Sequence, residues 1–351
     1  MALVLVTSET CAGHVPPPGH PERAERYVVM REVAARWRER GGQVLEPRPA
    51  TRAELERVHA VGYLDRLAAA AGQPAVLDLD TYMSPGSWAA ALAAAGAALT
   101  ALEWVLDPAH VPGAGDAGLR AAAALVRPPG HHALRDRAMG FCLINNLAVA
   151  AAAGLARGLE RLAIVDYDVH HGNGTQWCFY DDPRVLVVSL HQYPFYPHTG
   201  AAGECGVRAG EGFTVNVPLS AGATDADYLH VWRTIVEPVL ERFRPQVLLA
   251  DAGFDAHHLD PMAHMHVTTR GFATIAARLR AAAEAWSDAR LAVVTEGGYH
   301  LDALRDSLEA TVEALAAPVA AAAPADQAPT ACGRVAVDLV RAAQRRYWPG
   351  I

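Results

Sequence analysis

The chain has 351 residues, 52% hydrophobic and 19% charged, a balance that suits a packed core and excludes a disordered chain. Its net charge of -8 at pH 7 argues against direct nucleic-acid binding, which needs clustered basic side chains. Five widely spaced cysteines without a CxxC pair indicate neither a disulfide framework nor a cysteine zinc site, and they favour a reducing, cytoplasmic compartment.

The first elements in chain order are a strand in the opening segment MALVLVTSET and a helix over about residues 22–40. The opening segment has no basic leader and turns polar after Val6, which favours a strand over a signal peptide. Trp88 to Leu106 is mostly alanine and is interrupted by Glu103. We interpret this stretch as a buried helix rather than a membrane span, so no membrane partner is expected.

Strands and helices alternate from about residue 121 onward. Strands are predicted near 121–126, 162–165, 184–190, 213–217, 246–250 and 291–295, and helices near 145–157, 225–243, 269–286 and 301–315. An Ala/Pro linker near 316–329 and a C-terminal helix near 331–346 complete what we interpret as one domain over residues 1–351. This order predicts an α/β fold, a parallel sheet flanked by helices, in which ligands bind outside the carboxyl ends of the strands.

Polar clusters follow four of the predicted strands. The apolar run at 162–165 leads directly into Asp166, Asp168 and His170, whose side chains share one face of an extended chain. Tandem histidines follow the strand at 121, FDAHHLD follows the strand at 246, and EGGYH follows the strand at 291. Each motif taken alone is more often a turn or loop, but their coincidence at strand ends predicts one shared site.

Asp168, His170 and Asp255 are the candidate metal ligands of that site. Buried carboxylates beside an imidazole need a cation or other partners to offset their desolvation. A ligand set rich in carboxylates is atypical for zinc, so Zn²⁺ is favoured while Fe²⁺, Co²⁺ and Mn²⁺ stay open. Such an ion lowers the pKa of water and polarises a carbonyl, which indicates hydrolysis of an amide or ester.

The remaining polar residues supply candidates for proton transfer. His131 and His132 are candidates for the general base and the general acid, and Asp166 is a candidate to orient one of them. Tyr299 follows two glycines and is a candidate donor to the developing oxyanion.

The segments RPPGHHA, GFCLINN, DYDVHHGNGTQ, FYPHTG, AGFDAHHLDPM and EGGY, in this order, resemble the zinc-dependent histone deacetylase family. The resemblance is strongest to its class II-like and bacterial members, which include acetylpolyamine amidohydrolases, and it covers about residues 1–315. It implies the arginase/deacetylase fold, with a central eight-stranded parallel sheet, and an acylated amine as substrate. It also implies zinc on Asp168, His170 and Asp255.

The resemblance assigns roles to the other site residues. His131, held by Asp166, acts mainly as an electrostatic partner, and His132 acts as general base and then general acid. The partner of His132 is Asn173, where many relatives have an aspartate. Tyr299 corresponds to the transition-state tyrosine, which predicts a competent deacetylase.

The resemblance further implies a substrate channel and a second ion. The channel is lined by Gly140, Phe141 and Tyr196, with Met262 at its rim. A structural K⁺ site uses five residues, Asp166, Asp168, His170, Ser189 and Leu190. His198 stands where relatives have glycine in FYPGTG, and a positive φ there would strain a histidine.

Two substrate classes are compatible with the sequence. Met262 at the rim favours acetyl-lysine, whereas the His20-Pro21-Glu22 loop offers a carboxylate to an acetylpolyamine, so an acetylpolyamine amidohydrolase is the alternative. A catalytically idle metal- or partner-binding protein is disfavoured by the intact ligands, and arginase by the single compact ligand set. Because bacterial relatives are often oligomeric, a homo-oligomer stays open.

Overall fold

A computed structural model describes residues 2–107, 109, 118–317 and 328–351, so most of the predicted linker near 316–329 lies outside the described residues. Eight strands form one sheet: β1 (Ala2–Val6), β2 (Gln43–Leu45), β5 (Arg120–Ala124), β6 (Leu162–Asp166), β7 (Val185–Gln192), β8 (Thr214–Leu219), β9 (Val247–Ala252) and β10 (Arg290–Thr295). Two short strands, β3 (Ala75–Asp78) and β4 (Thr81–Met83), form a separate antiparallel hairpin.

The helices are α1 (Glu25–Glu39), α2 (Arg52–Leu55), α3 (Val61–Ala69), α4 (Ser87–Leu106), α5 (Asn146–Ala156), α6 (Asn173–Phe179), α7 (Asp225–Val231), α8 (Glu237–Phe243), α9 (Thr269–Trp286), α10 (Leu301–Ala316) and α11 (Ala331–Gln344). The helix predicted over 225–243 is interrupted by a π-helical turn, Trp232–Val236, between α7 and α8. The predicted C-terminal helix is α11.

The sheet is parallel throughout, in the order β2-β1-β5-β10-β9-β6-β7-β8. This confirms the predicted α/β fold with a central eight-stranded parallel sheet. Every residue of β6 and β7 is buried, as expected where helices cover both faces of a parallel sheet.

The alanine-rich helix α4 packs against the alanine strand β5 and the neighbouring helix α5. By length and composition it could cross a membrane, but 72% of its most apolar window is buried inside the protein. Gly96 in this helix lies so close to Arg48 that a Cβ atom would stand 1.9 Å from the Arg48 carbonyl oxygen. The small residues of α4 therefore permit a close approach to the chain around them, in line with the predicted buried helix.

The strand order explains why the polar clusters meet. The four strands that precede them, β5, β10, β9 and β6, are consecutive neighbours in the sheet. Parallel strands have their carboxyl ends at the same edge, so the segments after Ala124, Thr295, Ala252 and Asp166 emerge side by side. The sheet thereby gathers residues that are far apart in the sequence, and the main-chain N–H of Val126 donates to Thr295 Oγ1 across 169 positions.

Candidate metal centre and active site

Asp168, His170 and Asp255 converge beyond the ends of β6 and β9. Their side chains offer three ligand atoms within 4.8 Å of one another, and all three residues are buried. His170 Nδ1 lies 3.2 Å from Asp168 Oδ1 and 3.0 Å from Asp255 Oδ2. The structure thus brings together the three predicted metal ligands.

The spacing of these atoms fits a divalent metal ion. Ligands about 2.0–2.1 Å from a tetrahedral ion stand about 3.3 Å apart, close to the separations of His170 Nδ1 from the two carboxylates. The remaining carboxylate oxygens are occupied, because the Gly297 N–H donates to Asp168 Oδ2 (2.8 Å) and the Val169 N–H donates to Asp255 Oδ1 (2.9 Å). One oxygen of each aspartate is therefore directed toward the shared centre.

The buried charges at this centre favour a bound cation. Burial and the neighbouring Asp168 carboxylate raise the pKa of Asp255 to about 6. Burial by itself would lower the pKa of His170, but its hydrogen bonds to Asp168 and Asp255 raise it to about 10. The two carboxylates thus attract positive charge into this space, and a divalent ion would supply that charge with the imidazole in its neutral, ligating form.

The tandem histidines lie next to the ligand triad. His131 Nδ1 stands 2.9 Å from Asp166 Oδ2, and His132 Nδ1 stands 2.7 Å from Asn173 Oδ1. Asn173 Nδ2 donates to Met139 Sδ, so its amide oxygen is the atom that accepts the N–H of His132. This hydrogen bond leaves Nε2 of a neutral His132 as the proton acceptor.

Both imidazoles are almost fully buried. Burial, followed by the neighbouring His131 and His170, lowers the pKa of His132 well below its ordinary value. A neutral amide partner adds no negative charge to oppose that effect. At neutral pH His132 is therefore uncharged and able to accept a proton.

The segment 296–300 after β10 brings Tyr299 to the same place. The Tyr299 ring packs against Phe141, with centroids 5.8 Å apart, and the Arg26 guanidinium lies 4.9 Å from its centroid. Arg26 also donates to the carbonyl oxygens of Glu296 and Gly298. Burial raises the pKa of Tyr299 well above its ordinary value, which keeps its hydroxyl protonated and available as a donor.

Aromatic rings from two of the residues predicted to line the channel pack against His132 and Tyr299. The Tyr196 ring meets His132 edge-on with centroids 5.2 Å apart, and the N–H of Phe141 donates to Thr81 Oγ1. Phe141 has a φ of +69°, a conformation that L residues adopt at a cost. Gly140 is required beside it, since a Cβ there would stand 2.4 Å from the His132 ring.

Comparisons with known proteins identify the family of this chain. The family profile described as "Histone deacetylase domain" matches residues 20–315. A "Probable deacetylase" of Archaeoglobus fulgidus is 40% identical over 306 residues, covering 86% of this chain and 82% of that protein. A "Histone deacetylase-like amidohydrolase" of Pseudomonas aeruginosa is 41% identical over 298 residues, covering 84% of this chain and 74% of that protein. The chain belongs to the histone deacetylase family.

A solved structure supports the same assignment. The crystal structure of the HDA15 HD domain matches with a TM-score of 0.87 and 34% identity, and the match covers 99% of this chain and 95% of that one. Membership of the histone deacetylase family makes the chain a hydrolase of acylated amines, and its buried triad could hold a metal ion.

The rim of the channel differs from one sequence-based expectation. Glu22, expected to offer a carboxylate to the substrate, is fully buried and forms ion pairs with Arg26 (2.9 Å) and Arg127 (2.6 Å). That expectation was wrong, because the carboxylate is enclosed by the guanidinium groups of Arg26, four residues away, and of Arg127, 105 residues away. Met262, expected at the rim, is partly exposed.

Two acidic residues near Tyr196 were missed by sequence reasoning. Asp78 and Asp80 lie on the β3-β4 hairpin, and both charges contribute to raising the pKa of Tyr196, although burial contributes most. The Asp80 carbonyl oxygen lies 3.1 Å from His20 Nε2. The alternating acidic segment LDLD was the available signal, but nothing local in the sequence ties it to the channel.

The loop that bears Tyr196 has a strained residue at His198 and is followed by a turn that Glu204 holds in place. His198 has a φ of +68°, so the strained conformation foreseen for a histidine at this position is present. Glu204 holds the following turn, accepting from the N–H groups of Gly200 (2.9 Å) and Ala201 (3.1 Å) and from Gln176 Nε2 (2.7 Å). These hydrogen bonds connect the loop of Tyr196 to α6, which follows the candidate metal ligands Asp168 and His170 in the chain.

Three of the residues predicted for a structural potassium site lie on adjacent strands, and the other two, Asp168 and His170, lie in the loop after β6. Asp166 at the end of β6 and Ser189 in β7 are register partners, and Leu190 follows in β7. All five residues of that set are buried.

Proposed function

We propose that this chain is a zinc-dependent deacetylase that removes acetyl or short acyl groups from acetyl-lysine-type substrates. The observation that carries the proposal is the convergence of Asp168, His170 and Asp255 with two buried histidines and Tyr299 beneath an aromatic channel. A slot between rings suits an alkyl stem that ends in a neutral amide.

Zn²⁺ held by Asp168, His170 and Asp255 would lower the pKa of a water molecule and polarise the acyl carbonyl. His132, neutral and hydrogen-bonded to Asn173, accepts the proton of the attacking water on Nε2 and then delivers it to the leaving nitrogen. His131, whose Nδ1 faces the Asp166 carboxylate, stabilises charge beside it. Tyr299 donates its hydroxyl hydrogen to the developing oxyanion.

A structural K⁺ ion forms part of the same proposal, held by oxygens of Asp166, Asp168, His170, Ser189 and Leu190. The pairing of Asp166 with Ser189 across β6 and β7 supports it, as does the position of Asp168 and His170 just after β6. Exchange of K⁺ for a bulky organic cation should lower the thermal midpoint if the ion is bound, and an unchanged midpoint contradicts the site.

An acetylpolyamine is the second candidate substrate. The carboxylates of Asp78 and Asp80 near Tyr196 favour it, since a cationic chain leaving the channel would meet negative charge at the rim. The burial of Glu22 removes the earlier argument for a polyamine, so acetyl-lysine remains the first choice.

The test combines metal analysis with turnover measurements on the purified chain. We expect one equivalent of zinc and a higher kcat/KM for an acetyl-lysine peptide than for N-acetylputrescine or N-acetylspermidine. A strong preference for the polyamines would replace the first substrate class with the second. Bound zinc without hydrolysis of any acylated amine would instead indicate an idle metal-binding protein.

A matched pair of variants connects the activity to the triad. Asp255→Asn should lose both bound zinc and turnover, because the amide offers a neutral ligand in place of a carboxylate. Asp302→Asn, in the exposed first turn of α10, should retain both. Full activity of Asp255→Asn contradicts the proposed metal site.

A further inference from the structure

A single buried carboxylate connects the Tyr299 segment to the channel rim. Asp260 lies in the loop between β9 and α9 and is 6% exposed. Its Oδ2 accepts from the main-chain N–H groups of Tyr299 (2.6 Å) and His300 (3.0 Å). Its Oδ1 accepts from the N–H of Met262 (3.0 Å). Asp260 thus connects its own loop, at Met262, to the segment that bears Tyr299.

The Tyr299 segment needs such an anchor. Two glycines precede the tyrosine, and Gly298 has a φ of +121°, a conformation open only to glycine. Upstream of this pivot, the segment is fixed where the Gly297 N–H donates to Asp168 Oδ2. Downstream, the two N–H groups that begin the path into α10 are held by Asp260.

Hydrogen bonds to a charged, buried acceptor are stronger than those between neutral groups. Without Asp260 the N–H groups of Tyr299 and His300 would lose their acceptor in a buried region, and the chain would be free to turn about Gly298. A displacement of the phenol by about 1 Å is enough to cost a large factor in rate when geometry controls catalysis.

We propose that Asp260 is a positioning residue that fixes the main chain of Tyr299 and thereby sets where its hydroxyl points. The inference rests on the proposed function, in which Tyr299 donates to the oxyanion. Because the same carboxylate holds Met262, it also fixes one side of the channel mouth relative to the tyrosine.

A double-mutant cycle between Asp260 and Tyr299 tests this inference. Tyr299→Phe removes the hydroxyl and should lower kcat by about 100-fold or more. Asp260→Ala should lower kcat by about 10- to 100-fold with a smaller change in KM, since the displaced group acts in the transition state. When Asp260→Ala is combined with Tyr299→Phe, we expect almost no further loss, because no hydroxyl remains to be positioned.

Two further variants separate positioning from general damage. Asp260→Asn keeps the volume and one acceptor oxygen, so its kcat should fall between those of wild type and Asp260→Ala. It also replaces Asp260→Ala in the cycle if the alanine variant does not fold. Asp302→Asn, near the same helix start but exposed and paired with Arg305 at 2.7 Å, should change kcat less than twofold.

Wild-type turnover and zinc content separate the possible failures. If wild type hydrolyses no acylated amine, the proposed function is wrong and this inference falls with it. If wild type is active but Asp260 and Tyr299 substitutions lower kcat independently and multiplicatively, or Asp260→Ala leaves kcat unchanged at normal zinc content, only the positioning role is overturned.

Discussion

Removal of the Glu22 carboxylate should destabilise the protein strongly. Glu22 accepts from Arg26 Nη1 (2.9 Å) and from Arg127 Nε (2.8 Å) and Nη2 (2.6 Å), and all three side chains are fully buried. Burial favours a neutral carboxyl, yet the charge of Arg127 and the hydrogen bonds around Glu22 hold its pKa well below the usual range.

The expected size of the effect follows from these contacts. Glu22→Ala leaves two buried guanidinium groups without this carboxylate, and loss of one partner from a buried pair costs about 3–5 kcal/mol. A typical domain has only about 5–15 kcal/mol of unfolding free energy, so the loss is a large share of it. A carboxyl with a depressed pKa contributes fully at neutral pH and loses its contribution only as the pH falls toward the folded-state pKa.

Chemical denaturation at pH 7 measures this effect. The transition midpoint of Glu22→Ala should fall at an unchanged m-value, and Glu22→Gln, which keeps the volume, should show the part of the loss due to charge. Glu25→Gln, an exposed neighbour at the start of α1, should stay within about 0.5 kcal/mol of wild type. A loss below about 1 kcal/mol for Glu22→Ala would refute the reasoning.

Three further perturbations have defined outcomes. His198→Gly should raise the unfolding free energy by about 0.5–1 kcal/mol, because glycine adopts the φ of +68° without strain; a lower midpoint in denaturant would contradict this. Burial lowers the pKa of His59 to about 4, so the free energy of unfolding of the wild type should fall by about 3 kcal/mol between pH 6.5 and 4. His59→Gln should not show this fall, and urea titration of both proteins at each pH measures the difference. Gly96→Ala should destabilise the protein by about 1–3 kcal/mol, because its Cβ would clash with the Arg48 carbonyl. Gly62→Ala has open space around its Cβ and should stabilise α3 by about 0.5–1 kcal/mol. Equal thermal midpoints for the two variants would contradict this account.

Much of the architecture was predictable because the local pattern carries it. The helix expected over 269–286 has the same bounds in the structure, and the apolar run at 162–165 is the body of β6. The rule that the carboxyl ends of parallel strands share one edge predicts that the polar motifs lie together. His198 shows the limit of such prediction. The sequence does not determine the φ of this residue, which the structure shows to be +68°.

The sequence by itself determined seven of the eight strands of the sheet, its longer helices and the side chains at its carboxyl edge, because periodicity and strand-end position are local properties. The short edge strand β2 and the helices α3 and α6 were not predicted. Only the tertiary structure decided that Glu22 is enclosed by Arg26 and by Arg127, which lies 105 positions away. It likewise decided that Asp260 holds the Tyr299 segment across 39 positions. Whether a carboxylate faces solvent or a buried donor depends on which distant segments pack around it, and that arrangement exists only once the chain has folded.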